Sequence, residues 1–137
     1  MSEQLSSEQQ HLLVAAKAAA LATYSPYSNF AVGAALMTAN GTIVCGCNVE
    51  NISYGLTNCA ERSALFSAIS QGAQPRSFKA MAVYAPKVEL ISPCGACRQV
   101  LLELMAPDAL IVCQGSDPAA TRVWTLDQLL PGAFNAF

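Results

Sequence analysis

Two short stretches of this chain place reactive side chains at spacings that chemistry can use: Cys59-Ala60-Glu61 and Pro93-Cys94-Gly95-Ala96-Cys97. Each sits where a loop turns into a helix. Cys94 and Cys97 are three positions apart, so on the first turn of a helix their sulfurs point the same way and can share one metal ion. Cys59 opens the other helix. A helix N-terminus carries roughly half a positive charge, which favours the thiolate that a metal requires. Three thiolates with one position left open is the ligand set of a catalytic zinc site, whereas a closed structural site takes a fourth protein ligand. Glu61 lies two residues past Cys59, close enough to reach the open side without binding the ion. A carboxylate there can take a proton from water and pass it on. Three thiolates on Zn²⁺ sum to −1, which blunts the metal's pull on water. A guanidinium donating to the sulfurs restores some of it, and Arg62 is placed for that role.

Other readings of the same residues stand beside this one. Cys94-x-x-Cys97 alone has the form of a thioredoxin-like redox pair. A closed structural zinc site would draw its fourth ligand from Cys45, Cys47, Cys113 or His11, none of which has a paired spacing. The three cysteines read instead as packing residues, and His11 as a surface or interhelical residue. Glu61 and Arg62 also have a bland reading as a solvated pair at a helix start. The six cysteines allow 15 disulfide pairings, a scheme that belongs to short secreted chains without a core.

The elements that must position these groups follow from pattern. Ser6 to Ala22 reads as a helix, with capping-box patterns at Ser6-x-x-Gln9 and Ser7-x-x-Gln10 and an end enforced by Tyr24-Ser25-Pro26. Ala31–Thr38 and Thr42–Cys47 flank Asn40-Gly41, a hairpin signal. Positions 48–58 read as loop. Cys59–Ser70 is helical by its apolar spacing and stops at Gly72. Lys79–Ala85 reads as a strand, Cys94–Met105 as a helix ending at Pro107, Leu110–Gln114 as a short buried strand and Leu126–Leu130 as a closing helix. Strands separated by helices predict an α/β sheet with helices on its faces. Met37, Met81 and Met105 fall on apolar faces and read as core.

With 137 residues, the chain predicts a single domain spanning 1–137. Its 53% apolar and 12% charged residues exclude a disordered chain and suggest that some surface is covered by self-association. Seven basic against nine acidic side chains leave no basic stripe for a nucleic-acid backbone. The run Leu12–Ala22, broken by Lys17, falls short of a membrane span. The opening Met-Ser-Glu-Gln lacks the basic start of an export signal, so the expected location is cytoplasmic.

Five motifs occur in order: Pro26-Tyr27-Ser28-x-Phe30-x-Val32-Gly33-Ala34-Ala35-Leu36, Gly46-Cys47-Asn48-Val49-Glu50-Asn51, Cys59-Ala60-Glu61-Arg62, Pro93-Cys94-Gly95-Ala96-Cys97-Arg98-Gln99, and Leu129-Leu130-Pro131-x-x-Phe134. In them the chain resembles the small homotetrameric cytidine deaminases of nucleoside salvage, from about Tyr24 to Phe134. The Cys-x-Glu and Pro-Cys-x-x-Cys elements match the zinc-deaminase signature with cysteine in place of histidine.

The resemblance implies a three-layer α/β/α fold with a mixed five-stranded sheet. It implies one zinc per chain on Cys59, Cys94 and Cys97, with Glu61 as the proton carrier. It also implies that Phe30 packs on the pyrimidine, that Asn48 and Glu50 bond the ribose 3′-hydroxyl, and that the backbone at Ala60 contacts the base. Tyr54 and Phe134 are implied to reach a neighbouring subunit's site, so that the tetramer completes the pocket. The loop before Cys59 departs from the common family pattern at Ile52, Gly55 and Thr57. The reaction implied is hydrolysis of cytidine or 2′-deoxycytidine to the uridine and ammonia. A free nucleoside is the expected substrate, since a polynucleotide has its 3′ oxygen esterified. Deamination of another cytosine nucleoside, such as blasticidin S, is the nearest rival within the family, but enzymes of that kind generally lack the arginine after the catalytic glutamate. A non-enzymatic zinc or thiol module is the rival from another class.

Overall fold

The computed structural model describes residues 4–137; Met1, Ser2 and Glu3, which open the stretch read above for an export signal, lie outside the described residues. Helix α1 runs Ser7–Ala20, and of the two capping-box patterns the first is used: Ser6 is the N-cap and exchanges bonds with Gln9 at 2.9 and 3.1 Å. Strands β1 (Gly33–Met37) and β2 (Ile43–Cys47) form the expected hairpin. Gly41 sits in its turn at φ +85°, a conformation open to glycine at little cost. Then come α2 (Ala60–Ser70), β3 (Phe78–Tyr84), α3 (Gly95–Leu104), β4 (Met105–Gln114), β5 (Arg122–Thr125) and α4 (Leu126–Leu129).

The sheet order is β2-β1-β3-β4-β5, with β3 and β4 parallel and every other pair antiparallel. The sheet is therefore mixed, as the resemblance implies. Its two faces are read off by the alternation of each strand. Ala35, Ala80, Ala82 and Val112 point to α1, where Leu12, Leu13 and Ala16 cover them. Leu36, Met81, Val83 and Ile111 point to the other side, against Ala64, Leu65, Ala68 and Leu101 of α2 and α3. Small residues set the close approach of both layers. A Cβ on Gly33 would stand 2.0 Å from the Ala16 carbonyl oxygen, and one on Gly46 would stand 2.5 Å from the Ala64 nitrogen and 2.6 Å from the Ala60 oxygen.

Register decides where the helices begin. Cys47 pairs with Gly33, Gly33 with Tyr84, and Tyr84 with Gln114. The carboxyl ends of β2, β3 and β4 thus lie along one edge of the sheet, and α2 and α3 both start from the chain leaving that edge. Crevices at this edge are where α/β sheets bind ligands.

Three features differ from the sequence reading. β5 has no counterpart in it. β4 spans ten residues and follows α3 without a loop, where only Leu110–Gln114 was expected. Pro107 is tolerated because the pairing with β3 slips between Phe78 and Ala80, a bulge that needs no ladder donor there. Cys45 is exposed and not packed, because β2 is an edge strand. Cys113 is buried in the core and Cys47 partly covered; His11 is on the surface. Among the described residues, no helix is long and apolar enough to cross a membrane.

Candidate metal centre

Cys59 and Cys94 are the N-cap residues of α2 and α3. Their backbones are extended, at ψ 156° and 167°, so each sulfur projects past the end of its helix. Cys97 sits inside the first turn of α3, and its amide donates to the Cys94 sulfur at 3.5 Å. The three sulfurs all lie within 4.8 Å of one another, with Cys59 and Cys94 at 3.8 Å. Two sulfurs on a tetrahedral zinc, each about 2.3 Å from the metal, stand ~3.8 Å apart. The donor set therefore fits zinc in both chemistry and spacing. All three thiols are free. Because Cys59 joins Cys94 and Cys97, the latter are not an isolated dithiol. Among the described residues, this is the group of three or more potential ligands close enough to share an ion.

The groups around Cys59 are arranged to favour its thiolate. A hydrogen bond from Cys97, aided by Arg62 and opposed by burial, holds the Cys59 thiol down to about 5. Arg62 Nη2 donates to the Cys59 sulfur at 3.1 Å. That bond holds the guanidinium more firmly in its charged form. The hydrogen bond to Cys59, with burial, pushes the Cys97 thiol up, so metal entry must displace its proton. Glu61 is 4% exposed, which excludes the bland reading of a solvated pair. Burial, with the Cys59 charge adding to it, pushes its carboxyl up to about 7.

A cleft of about 360 Å³ opens beside these groups, lined by Phe30, Asn48, Glu50, Cys59, Ala60, Glu61, Ile91 and Cys94 among others. That is the size of small-molecule sites, which are mostly apolar with a few placed polar groups. A slightly larger depression, about 420 Å³, lies at the hairpin end of the sheet near Asn40, Gln71 and Gln74, with no titratable side chain in its lining.

Asn48 and Glu50 line the cleft and also brace the segment that carries Phe30. Asn48 Nδ2 donates to the Phe30 carbonyl at 2.7 Å, and its Oδ1 accepts from the Val32 amide at 2.9 Å. Glu50 accepts from the amides of Tyr27 (2.9 Å) and Ser28 (3.2 Å) and from the Ser28 hydroxyl. Ser28 Oγ in turn accepts from the Phe30 amide at 3.0 Å. Sequence reasoning gave Ser28 no role, although it stands in the first motif. Tyr54 and Phe134 are not in the lining of the cleft. Tyr54 packs on Tyr27 at 5.8 Å between ring centroids, in a shallow depression that shares Glu50. Phe134 is 77% exposed.

Residues 6–113 match the family model of the cytidine and deoxycytidylate deaminase zinc-binding region. The chain is 47% identical over 133 residues to a cytidine deaminase of Sporosarcina psychrophila, covering 92% of this chain and 90% of that protein. It is 46% identical over 129 residues to a cytidine deaminase of Halalkalibacterium halodurans, covering 94% and 96%. The crystal structure of cytidine deaminase from Burkholderia pseudomallei superposes with a TM-score of 0.85 at 52% identity, over 91% of this chain and 98% of the other.

Proposed function

The chain belongs to the cytidine and deoxycytidylate deaminase family, and on that premise we propose that it hydrolyses free cytidine and 2′-deoxycytidine at C4. The products are the corresponding uridine and ammonia. It is a zinc-dependent hydrolase of this family, and the single observation that carries the reading is the cluster of three sulfurs beside the buried Glu61 at one cleft. Cys59, Cys94 and Cys97 would hold the zinc, which would supply a water made acidic near neutral pH.

The chain's own residues carry the rest. Glu61, with a carboxyl near 7, is poised both to accept and to donate a proton at physiological pH. It takes the proton that water gives up and delivers it to N3 of the base, which makes C4 electrophilic. The oxygen of that water adds to C4, and Glu61 then takes the remaining proton from this oxygen and carries it to the exocyclic amine, so that the C4–N bond breaks and ammonia leaves. Arg62 draws charge from the Cys59 sulfur. Phe30 packs on the ring, the backbone at Ala60 contacts the base, and Asn48 and Glu50 hold the 3′-hydroxyl. Asn48 and Glu50 do so from the positions in which they brace the Phe30 segment, so sugar binding and ring packing are mechanically joined. A carboxylate at Glu50 repels a nearby phosphate, which favours a nucleoside over a nucleotide or polynucleotide.

Tyr54 and Phe134 act on the cleft of a neighbouring copy, in a homotetramer. Their exposure supports this, since two aromatic rings left largely open to water in their own chain gain by burial against another. The expected location is the cytoplasm.

The test is the loss of cytidine absorbance on mixing with the protein, with ammonia and zinc measured alongside. The expected result is turnover of both nucleosides at about one zinc per chain, abolished by a chelator and restored by zinc. Sedimentation should give four copies. Zinc-loaded protein that releases no ammonia from either nucleoside would overturn the reading.

A further inference from the structure

Two consecutive residues of α3, Arg98 and Gln99, make long-range bonds that the mechanism above does not use. Arg98 Nε donates to the Pro93 carbonyl at 2.7 Å, Nη2 to the Ser92 hydroxyl at 3.1 Å, and Nη1 to the Leu129 carbonyl at 2.7 Å. Gln99 Nε2 donates to the Phe134 carbonyl at 2.8 Å. Pro93 and Ser92 immediately precede Cys94. As an N-cap, Cys94 is tied to α3 by its carbonyl, which accepts from the Arg98 amide at 2.9 Å, and by its sulfur, which accepts from the Cys97 amide, but α3 does not hold the chain that leads into it. The Arg98 fork fixes it from the other side of the turn. Leu129 ends α4, and its carbonyl is one of those a helix terminus leaves without an intrahelical partner. Beyond it the chain from Leu130 to Phe137 forms no helix or strand, so bonds such as Gln99 to Phe134 are what place it.

We infer that Arg98 and Gln99 are positioning residues that join the Cys94–Cys97 half of the metal centre to the C-terminal segment bearing Phe134. The loop-to-helix turn that holds two of the three sulfurs and the segment that reaches a neighbouring cleft then keep their places together. Disturbing one loosens the other, as any coupling between two sites must be reciprocal. Only the part played by Phe134 in a neighbour's cleft rests on the proposed function. A planar guanidinium makes its three bonds in a fixed fork, which a lysine ammonium cannot reproduce.

The test uses full-length, zinc-loaded protein and reads two quantities that do not depend on turnover. One is the rate of zinc release to a chromogenic chelator. The other is the rate of chymotryptic cleavage after Phe134, read as the mass of the released Asn135–Phe137 peptide, which follows local opening of that segment. Arg98→Lys should release zinc about tenfold faster, the scale of loss when a partner that orients a ligand is removed, and should be cleaved several times faster. Gln99→Leu should be cleaved faster, with a smaller change in zinc release. Wild-type zinc release in Arg98→Lys, or wild-type cleavage in both variants, overturns the inference. If Arg98→Lys does not fold, the wild type stripped of zinc takes its place: faster cleavage after Phe134 supports the coupling, and an unchanged rate overturns it. A protein without deaminase activity would count against the proposed function and leave these two rates to decide this inference by themselves.

Discussion

The guanidinium of Arg62 bonds the sulfur of Cys59 at 3.1 Å from three residues further along the chain. The N-cap of α2 and the guanidinium proposed to draw charge from its sulfur thus lie within one turn of each other. Arg62→Gln keeps a polar side chain and removes the positive charge. It should retain zinc and lose about 10- to 100-fold in kcat/KM, the usual cost of losing a partner behind a ligand. Elemental analysis beside the rate separates the two effects, and full activity would remove Arg62 from the mechanism.

Besides Glu50, Glu61 is the one carboxylate among the described residues lining the cleft, and in the proposed scheme it serves both proton transfers. Glu61→Ala should therefore cut turnover by at least ~10²–10⁴, the range for a lost general acid–base. Zinc content should stay at the wild-type level. Wild-type-like ammonia release in that variant would end the scheme.

Gly46 holds α2 close to β2. A Cβ there meets the backbone of Ala60 and Ala64 at 2.6 and 2.5 Å, and backbone cannot rotate away. Gly46→Ala should cost about 1–3 kcal/mol, as overpacking does. It should also displace the first turn that carries Cys59 and Glu61. Thermal melts and zinc titration should both register it; an unchanged Tm would mean that the helix moves without cost.

The Ser28 hydroxyl, and then the Tyr27 and Ser28 amides, hold the Glu50 carboxyl below the usual carboxylate range. The sign follows from linkage. A carboxyl whose folded-state pKa is lowered adds stability above its unfolded value, about 4.3, and that stability is lost as pH falls through the lower folded value. The Tm difference between wild type and Glu50→Gln should be widest above the ordinary glutamate value, about 4.3, and should close as pH falls below it. Melts across that window test it, and a constant offset would show that the charge of Glu50 does not hold the Phe30 segment.

Local signals in the chain were reliable where one turn of helix or one tight turn settles the geometry. The Ser6 capping box, the Asn40-Gly41 hairpin and the helices opening at Cys59 and Cys94 all lie where the residues predict. Arg122–Thr125 was not legible as a strand, since its four residues, bounded by Arg and Thr, are too short to show alternation. They are extended because β4 offers an edge to pair with. The first half of β4 was hidden by Pro107, which reads as a helix stop and sits instead in a bulge. Arg98, Gln99 and Ser28 stood in quoted motifs without a role, because their partners are backbone groups that no motif displays.

The amino-acid sequence by itself determined the donor types, the pairing of Cys94 with Cys97 and the placing of Glu61 and Arg62 beside Cys59. Helix geometry over three or four residues admits little else. Only the tertiary structure decided that Cys59 meets Cys94 across 35 positions. It did so through the strand register that sets the carboxyl ends of β2 and β3 on one edge, and through Gly46, which lets α2 lie close enough. The same packing buried Glu61 and with it raised the carboxyl toward neutrality, since a charge loses its hydration only when the chain folds over it.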